Sequence, residues 1–418
     1  MNVIGKIDEK LIRNNLINLR QIVFEVTEKC NLRCKYCGLS ELYQTGEGRI
    51  NRDLSFKKAK LIIDYLANLW KDNLVEDTVF KVAISFYGGE PLMNFDLINK
   101  IIDYIENLKI AGKKFIYTMT TNAMLLDKYM DFLVAKDFQL FISLDGDEQS
   151  QSYRVDHSGN NSFNQVIRNV KLLQSKHPVY FNKSVRFNSV LHNRNEVDSI
   201  YHFFKTNFNV TPQISSLNSS GIRDEKKVEF RKMYNNKMQS MEKSPNCEAI
   251  EEDVFLDTPK GSGLTQYLYY FSGNIFFTYN QLLLNKIGKN EIFTGTCTPF
   301  SKKLFLASDG KILPCERIDH GFDLGFVHDD FVELDYKHVA DRHNYYLSKC
   351  AKQCVYCSIN KQCLQCVYHI DNIINESSHC YSFRTQEAFN FEKEQTFDYL
   401  RQHPQYYQKV LNEVRLGK

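Results

Sequence analysis

The chain has 418 residues, of which 43% are hydrophobic and 25% are charged, as in folded globular proteins rather than disordered chains. Its net charge of +3 argues against a dedicated nucleic-acid binder, and no apolar run is long enough to span a membrane. Because residues 1–20 are too charged for a secretory signal, we expect a cytoplasmic chain that works without nucleic acid or a membrane.

Residues 21–217 alternate short β-rich runs with helical periodicity, which is the pattern of serial βα units. Apolar stripes at three- and four-residue steps predict helices between the strands, near 59–70, 98–108, 162–175 and 195–206. Repeated right-handed crossovers curl such units into a full or partial barrel, so we predict an α/β fold with a partial, TIM-like (βα)6 barrel. The six predicted strands are 21–27, 80–86, 115–121, 139–145, 184–190 and 212–217.

Four of these strands are followed by loops of unusual composition. CNLRCKYC follows the first strand, YGGEP the second, TTNA the third and LDGD the fourth. In βα barrels the loops at the carboxyl ends of the strands share one face, where ligands bind. We therefore expect the functional site on that face.

The remaining segments differ from the barrel in composition. Residues 1–20 are a short N-terminal extension, and residues 218–295 are polar, then helical near 225–242, then acidic and aromatic. We interpret 218–295 as a bridge that also contacts substrate. Residues 296–380 form a cysteine-rich domain with few long periodic elements, and residues 381–418 are predicted to be mostly helical.

Eleven of the twelve cysteines lie at two places, three in the loop after the first strand and eight at positions 297 to 380, and Cys247 stands alone. A reducing compartment keeps thiols free, so clustered cysteines there indicate metal ligands before they indicate disulfides.

The first group, Cys30-x3-Cys34-x2-Cys37, offers three thiolates in one loop. A [4Fe–4S] cluster has four irons, so three ligands leave one iron open to an outside molecule. The alternatives are a zinc loop or three buried thiols. Zinc takes four nitrogen or sulfur ligands, and the nearby candidates, Glu28 and Glu41, offer oxygens. The spacing therefore favours an iron–sulfur cluster.

This loop, with Tyr36 directly before Cys37, resembles the radical S-adenosylmethionine (SAM) superfamily, and the resemblance runs over about residues 21–200. It implies that the open iron binds the amino and carboxylate groups of SAM. One electron then cleaves SAM to a 5′-deoxyadenosyl radical, which abstracts hydrogen from a substrate. It also implies an external electron donor, flavodoxin- or ferredoxin-like.

The same resemblance assigns SAM contacts to the strand-end loops. Gly88-Gly89-Glu90-Pro91 resembles the GGEP motif of the family, whose backbone and carboxylate receive the methionine ammonium group. Thr121-Asn122 and Ser143–Asp145 resemble strand ends that contact the ribose and the methionine, and Arg154 resembles an arginine near the SAM carboxylate. Val190 would pack on adenine, with a core position as the alternative. The implied cofactor-binding residues are Tyr36, Gly88, Gly89, Glu90, Pro91, Asn122, Ser143, Asp145, Arg154 and Val190.

The second group of cysteines closely resembles the SPASM domain, which binds two auxiliary [4Fe–4S] clusters in radical SAM peptide maturases. Its pattern here is Cys297-x12-Gly310-x4-Cys315, then Cys354-x2-Cys357-x5-Cys363-x2-Cys366, then Cys380. The resemblance implies an outer set of four ligands, Cys354, Cys357, Cys363 and Cys380. It implies an inner set of three, Cys297, Cys315 and Cys366.

Two departures from the family pattern affect these sets. Cys363 and Cys366 are separated by two residues rather than three, and no further cysteine lies close to Cys297. The inner cluster therefore has either an open iron or a fourth ligand from Cys350 or Cys247. Zinc ribbons are the alternative for the whole domain.

Glu316 directly follows the inner-set residue Cys315, where sulfatase-maturating relatives commonly carry aspartate. We predict that it accepts a proton from the substrate, with a salt-bridged glutamate as the alternative. Together the two resemblances imply a radical SAM peptide maturase that installs a carbon–carbon or thioether cross-link in a ribosomally synthesised precursor peptide. One alternative is an anaerobic sulfatase-maturating enzyme that oxidises Cys or Ser to formylglycine. Another is a non-catalytic electron-transfer or zinc-stabilised peptide-binding protein.

Overall fold

The chain divides into two compact units in a computed structural model. The larger unit contains Glu9–Cys247 and Pro299–Val339, and the smaller one contains Met1–Asp8, Glu248–Thr298 and Ala340–Lys418. Residues of the predicted cysteine-rich domain therefore belong to both units, and most of the aromatic stretch of the predicted bridge lies outside the described residues. The structure describes residues 6–43, 50–73, 79–219, 221–254, 261, 263–265, 267–268, 296–360, 363, 365–370, 373–374 and 379–413.

The larger unit is built on a sheet of ten strands. They are β1 Gln21–Thr27, β2 Phe80–Gly88, β3 Lys113–Thr121, β4 Gln139–Ser143, β5 Val185–Leu191, β6 Gln213–Ser216, β7 Leu304–Leu306, β8 Lys311–Leu313, β9 Gly325–Val327 and β10 Val332–Glu333. The order in the sheet is β10-β9-β8-β7-β1-β2-β3-β4-β5-β6. Strands β1 to β6 are parallel to their neighbours in chain order, which confirms the predicted series of βα units. The predicted curvature into a partial barrel stays a prediction.

The helices between the strands bury one apolar face, as the predicted stripes require. The first ten described α-helices are α1 Glu9–Ile17, α2 Phe56–Lys71, α3 Phe95–Leu108, α4 Leu126–Ala135, α5 Phe163–Lys176, α6 Pro178–Ser184, α7 Val197–Phe208, α8 Lys227–Met233, α9 Lys237–Glu242 and α10 Cys247–Val254. In α2, for example, Ile62, Ile63 and Leu66 are buried, and the side chain of Ser55 caps the helix by accepting from Lys58 N. The predicted helices of the barrel are confirmed, whereas α1, α4 and α6 were not predicted.

Two predictions about the second half of the chain need correction. The predicted helical stretch 225–242 is divided into α8 and α9, because Tyr234 adopts an extended conformation after α8. The cysteine-rich region contains a helix of 19 residues, Tyr336–Cys354, so the expectation of few long periodic elements was wrong there. The C-terminal helices Gln386–Gln402 and Gln405–Glu413 agree with the prediction. Among the described helices, none is both long and apolar enough to cross a membrane.

Residues 299–339 extend the parallel sheet beyond β1. Strand β7 pairs with β1 in parallel, with Ile22 opposite Leu304, and β8 to β10 continue as antiparallel strands. The turn between β7 and β8 needs Gly310, which has φ +105° and whose Cβ would lie 2.6 Å from the carbonyl oxygen of Val327. The local backbone conformation therefore explains why a glycine occupies this position of the SPASM-like pattern.

Candidate functional site

The three N-terminal cysteines lie in the loop after β1, which we call the cysteine loop (residues 30–37). A segment after β4 holds this loop through backbone hydrogen bonds. Arg33 N donates to Val155 O at 2.7 Å, and Lys35 N donates to Tyr153 O at 3.0 Å. The cysteine loop is therefore fixed from two sides, by β1 and by residues distant in sequence.

The three thiols of the cysteine loop are neighbours. Burial, with a smaller contribution from the nearby Cys37 thiol, raises the pKa of Cys30 to about 11 and that of Cys34 to about 12. Two N–H groups point at the sulfur of Cys30: Leu32 N at 3.4 Å and Asn122 Nδ2 at 3.7 Å. The arrangement brings together three sulfur donors and a few hydrogen-bond donors.

This donor set can be tested against the two metal centres considered from the sequence. Three neighbouring thiols match the number of protein ligands that a [4Fe–4S] cluster with one open iron takes, whereas a structural zinc site takes four nitrogen or sulfur ligands.

Two glycines let the end of β2 approach the cysteine loop. Gly89 N donates to Thr27 O at 2.9 Å, and Glu90 N donates to Lys29 O at 2.8 Å. A Cβ on Gly88 would lie 2.1 Å from Thr27 O, and a Cβ on Gly89 would lie 2.1 Å from Lys29 O. The glycines thus permit a close backbone approach to the base of the cysteine loop. Their contact with SAM stays a prediction.

The side chain of Glu90 joins the ends of β2 and β3. Its carboxylate is 1% exposed and accepts hydrogen bonds from Thr121 Oγ1 at 2.8 Å, Asn122 N at 2.7 Å and Leu92 N at 3.1 Å. Burial raises its pKa to about 7, although the three donors oppose the shift. Because a carboxylate accepts about four hydrogen bonds, one position is left for the predicted ammonium group.

Asp145 is the second residue after β4. Several hydrogen-bond donors on the side of the site away from Glu90 converge on it. Its fully buried carboxylate accepts from Tyr36 OH, from Arg154 Nε and Nη2 at 3.0 Å each, and from Val190 N at 2.9 Å. The fork geometry of the Arg154 pair is the strong, bidentate kind. Two residues predicted to contact SAM therefore pair with each other, and together they hold the tyrosine of the cysteine loop.

His192, which the sequence analysis did not identify, completes this network. It is fully buried, and its ring centroid lies 5.7 Å from that of Tyr36 and 4.8 Å from that of Tyr153. Its Nδ1 accepts from Arg194 N at 3.1 Å, so Nε2 carries the hydrogen and donates to Ser150 O at 2.9 Å. Burial lowers its pKa. The sequence did offer one indication of a functional role for His192, because this residue directly follows β5 and so lies in a fifth strand-end loop.

The remaining residues predicted to contact SAM lie at the same strand ends. Ser143 is buried at the end of β4, and Pro91 begins a short 3₁₀ turn, Pro91–Asn94, behind Glu90. Val190 is half-buried and packs against an apolar cluster that contains Tyr36. The core role considered for Val190 is thus present in the structure, and its contact with adenine stays a prediction.

Glu316 lies beside Cys315 and carries an ion pair. Lys303 Nζ lies 3.0 Å from each carboxylate oxygen, and Cys315 Sγ lies 3.6 Å from Oε2. Burial opposes ionisation, but Lys303, a backbone N–H and Arg317 together outweigh it, and the pKa of Glu316 is lowered. The half-buried Tyr87 of β2 interacts electrostatically with both Glu316 and Cys37. The predicted proton acceptor therefore lies in the same unit as the cysteine loop, as a carboxylate.

In the smaller unit, the four predicted outer-set cysteines are found with a fifth thiol. Cys354 interacts electrostatically with Cys350 and with the other three members of the set, Cys357, Cys363 and Cys380. Burial raises the pKa of Cys354 to about 12 and that of Cys350 to about 11. Cys350, considered from the sequence as a fourth ligand of the inner set, thus lies with the outer set.

The structure brings together two of the three predicted inner-set cysteines. Cys297 and Cys366 interact electrostatically in the smaller unit, where Val367 N donates to Thr296 Oγ1 at 2.7 Å. Cys315 belongs to the larger unit. The three-cysteine inner site stays a prediction.

Comparison with known proteins identifies the first half of the chain. The sequence model of the radical SAM superfamily matches residues 24–204. An uncharacterised protein of Methanocaldococcus jannaschii is 35% identical over 158 residues, 38% of this chain and 49% of that protein. The radical SAM cyclopropyl synthase TigE of Paramaledivibacter caminithermalis is 27% identical over 41% of this chain and 35% of its own length. The cysteine-type anaerobic sulfatase-maturating enzyme of Clostridium novyi is 25% identical over 45% and 48%.

The chain thus spans between about a third and a half of the length of these curated relatives. A solved structure of anSMEcpe with bound AdoMet matches 95% of this chain and 100% of its own, with a TM-score of 0.57 and 17% identity. A structure of the same enzyme with bound AdoMet and Kp18Cys peptide matches 94% and 99%, again with a TM-score of 0.57. The likeness shows a common α/β fold. Residues 24–204 of the chain form a radical SAM domain.

Proposed function

We propose that the chain is a peptide-modifying radical SAM enzyme that installs a cross-link in a ribosomally synthesised precursor peptide. The observation that carries this proposal is the group of three neighbouring thiols, Cys30, Cys34 and Cys37, beside the buried strand-end contacts of a radical SAM domain. Likeness to a cyclopropyl synthase supports bond formation as the reaction. Likeness to the fold of an enzyme solved with bound AdoMet and a peptide supports the substrate class.

In this proposal the cysteine loop holds one [4Fe–4S] cluster, and the two later cysteine sets hold auxiliary clusters. When bound, SAM and the first cluster supply reductive cleavage to a 5′-deoxyadenosyl radical, with the electron coming from a flavodoxin- or ferredoxin-like donor. Asp145 and Arg154 position the cysteine loop through Tyr36. Glu316, kept ionised by Lys303, accepts the proton that the substrate loses.

A second candidate is oxidation of a sulfatase Cys or Ser to formylglycine. The sequence relative from Clostridium novyi and the fold match to anSMEcpe favour it. The glutamate in place of an aspartate after Cys315 speaks mildly against it. Mass spectrometry of a treated precursor peptide and a treated sulfatase peptide separates the two candidates, since one gains an inter-residue bond and the other an aldehyde.

The cysteine loop is tested by Cys34→Ala, with Ser175→Ala, at an exposed position outside every predicted ligand set, as the control. Anaerobically reconstituted protein is incubated with SAM and dithionite, and 5′-deoxyadenosine is measured. We expect Cys34→Ala to abolish this product, because the cluster loses one of three ligands, and we expect Ser175→Ala to retain it. Wild-type protein that makes no 5′-deoxyadenosine would instead support a non-catalytic electron-transfer or peptide-binding role.

A further inference from the structure

The smaller unit contains a thiol, that of Cys350, that is not among the four predicted ligands of the outer set. Cys350 and Cys354 are one turn apart on the helix Tyr336–Cys354, so their side chains share one face of that helix. Cys350 is 3% exposed and therefore faces protein rather than solvent.

Hydrogen bonds place two of the other outer-set cysteines at the same end of this helix. Cys380 N donates to Oε1 of Gln353 at 3.0 Å, and Gln353 directly precedes Cys354. Cys357 N donates to Cys354 O at 3.1 Å. Cys350 also interacts electrostatically with Cys380 and with Cys363. Five thiols therefore lie near one another at this end of the helix, whereas a [4Fe–4S] cluster needs four.

We propose that Cys350 is a fifth metal-binding thiol of the outer set, able to hold the iron assigned to Cys380. The inference rests on the auxiliary cluster of the proposed function. Replacing one thiolate by the other breaks one iron–sulfur bond and forms one, and no electron is transferred. Cys350 gives up its thiol proton to water, and the Cys380 sulfur takes one up. The site thus keeps four sulfur ligands when either residue is lost.

The test compares wild-type protein with Cys350→Ala, Cys380→Ala and the double variant, all reconstituted anaerobically. Iron and sulfide per chain are measured, together with the electron paramagnetic resonance spectrum of the reduced clusters. We expect both single variants to match the wild type. The double variant should lose about four irons per chain and one cluster signal, because only three outer-set thiols remain. Ser348→Ala, on the same helix, is the control and should keep all iron.

Loss of about four irons from Cys380→Ala alone would overturn the inference, as would full retention of iron by the double variant. The cluster of the cysteine loop reports folding, since its irons should remain in every variant. A wild-type chain with only about four irons would remove the auxiliary clusters, and this inference with them. That result differs from the first two, in which the wild type carries more iron and only the role of Cys350 fails.

Discussion

Asp145 is the residue on which the polar contacts of the candidate site converge. It accepts from Tyr36, Arg154 and the backbone of Val190 while fully buried. Removing one partner of a buried ion pair leaves an uncompensated charge, so this arrangement is costly to disturb. Sequence reasoning selected all four residues but expected them to face SAM. It could not find their mutual contacts, because Tyr36 and Asp145 are 109 positions apart.

The hydroxyl of Tyr36 is therefore predicted to hold the cysteine loop. Tyr36→Phe removes one hydrogen bond to a charged group, and we expect the free energy of unfolding to fall by about 1.5–3 kcal/mol. Reconstituted protein should also release iron from the cysteine loop faster under a chelator. Tyr153→Phe is the matched control, since its hydroxyl donates to the neutral Asn193 at 2.9 Å. Equal iron release from both variants would contradict this role for Tyr36.

At the scale of elements, backbone hydrogen bonds join the end of β2 to the residues just before the cysteine loop. The GGEP motif predicts a close approach, but the sequence does not say to what, because glycine only removes a steric barrier. The structure identifies the partner as the carbonyl groups of Thr27 and Lys29. The spacing of the cysteine loop from β2 is thus set by the absence of a Cβ at two positions.

Gly89→Ala tests this spacing. The added Cβ would lie 2.1 Å from Lys29 O, and a backbone atom cannot rotate away, so the two elements must separate. We expect destabilisation by about 1–3 kcal/mol and several-fold lower iron retention in the cysteine loop. Gly38→Ala lies next to Cys37 with nothing within 4 Å of its Cβ, and it should change stability by less than about 0.5 kcal/mol. Iron retention by Gly89→Ala equal to that of Gly38→Ala would show that the loop does not depend on this contact.

The strands and helices predicted from the sequence are those long enough for a periodic repeat of apolar residues to be recognised. Strands β1 to β6 were predicted within a few residues, whereas β7 to β10, of two or three residues each, are too short for alternation to be recognised. The helix Tyr336–Cys354 was missed because its buried face has few aliphatic residues and includes His343 and Cys350. Pairing of β7 with β1 joins residues on opposite halves of the chain, which no local pattern indicates.

For the whole molecule, the burial of Glu90 makes stability depend on pH. An ordinary glutamate ionises near pH 4.5, and burial raises the pKa of Glu90 to about 7. Between these values the folded chain keeps a proton that the unfolded chain loses. The contribution of Glu90 to the free energy of unfolding therefore falls as pH rises from 4.5 to 7, by on the order of 3 kcal/mol, and is constant outside that range.

Urea unfolding of the reduced, metal-free chain measures this effect. We expect the wild type to lose stability relative to Glu90→Gln between pH 5 and pH 8, by about 2–3 kcal/mol. Glu148→Gln, at an exposed glutamate, should follow the wild type at both pH values. If the free energy of unfolding differs between the wild type and Glu90→Gln by the same amount at pH 5 and at pH 8, then Glu90 keeps its charge in the folded chain.

The pairing of β1 with β7 has a consequence for biosynthesis. Leu304 leaves the ribosome about 280 residues after Ile22, its partner, so β1 to β6 can assemble while one margin of the sheet has no neighbour. An unpaired strand of buried apolar residues invites association between nascent chains. Slow synthesis or premature termination between the codons of β6 and β7 should therefore cause aggregation, and chaperones that shield nascent chains should matter most in that interval.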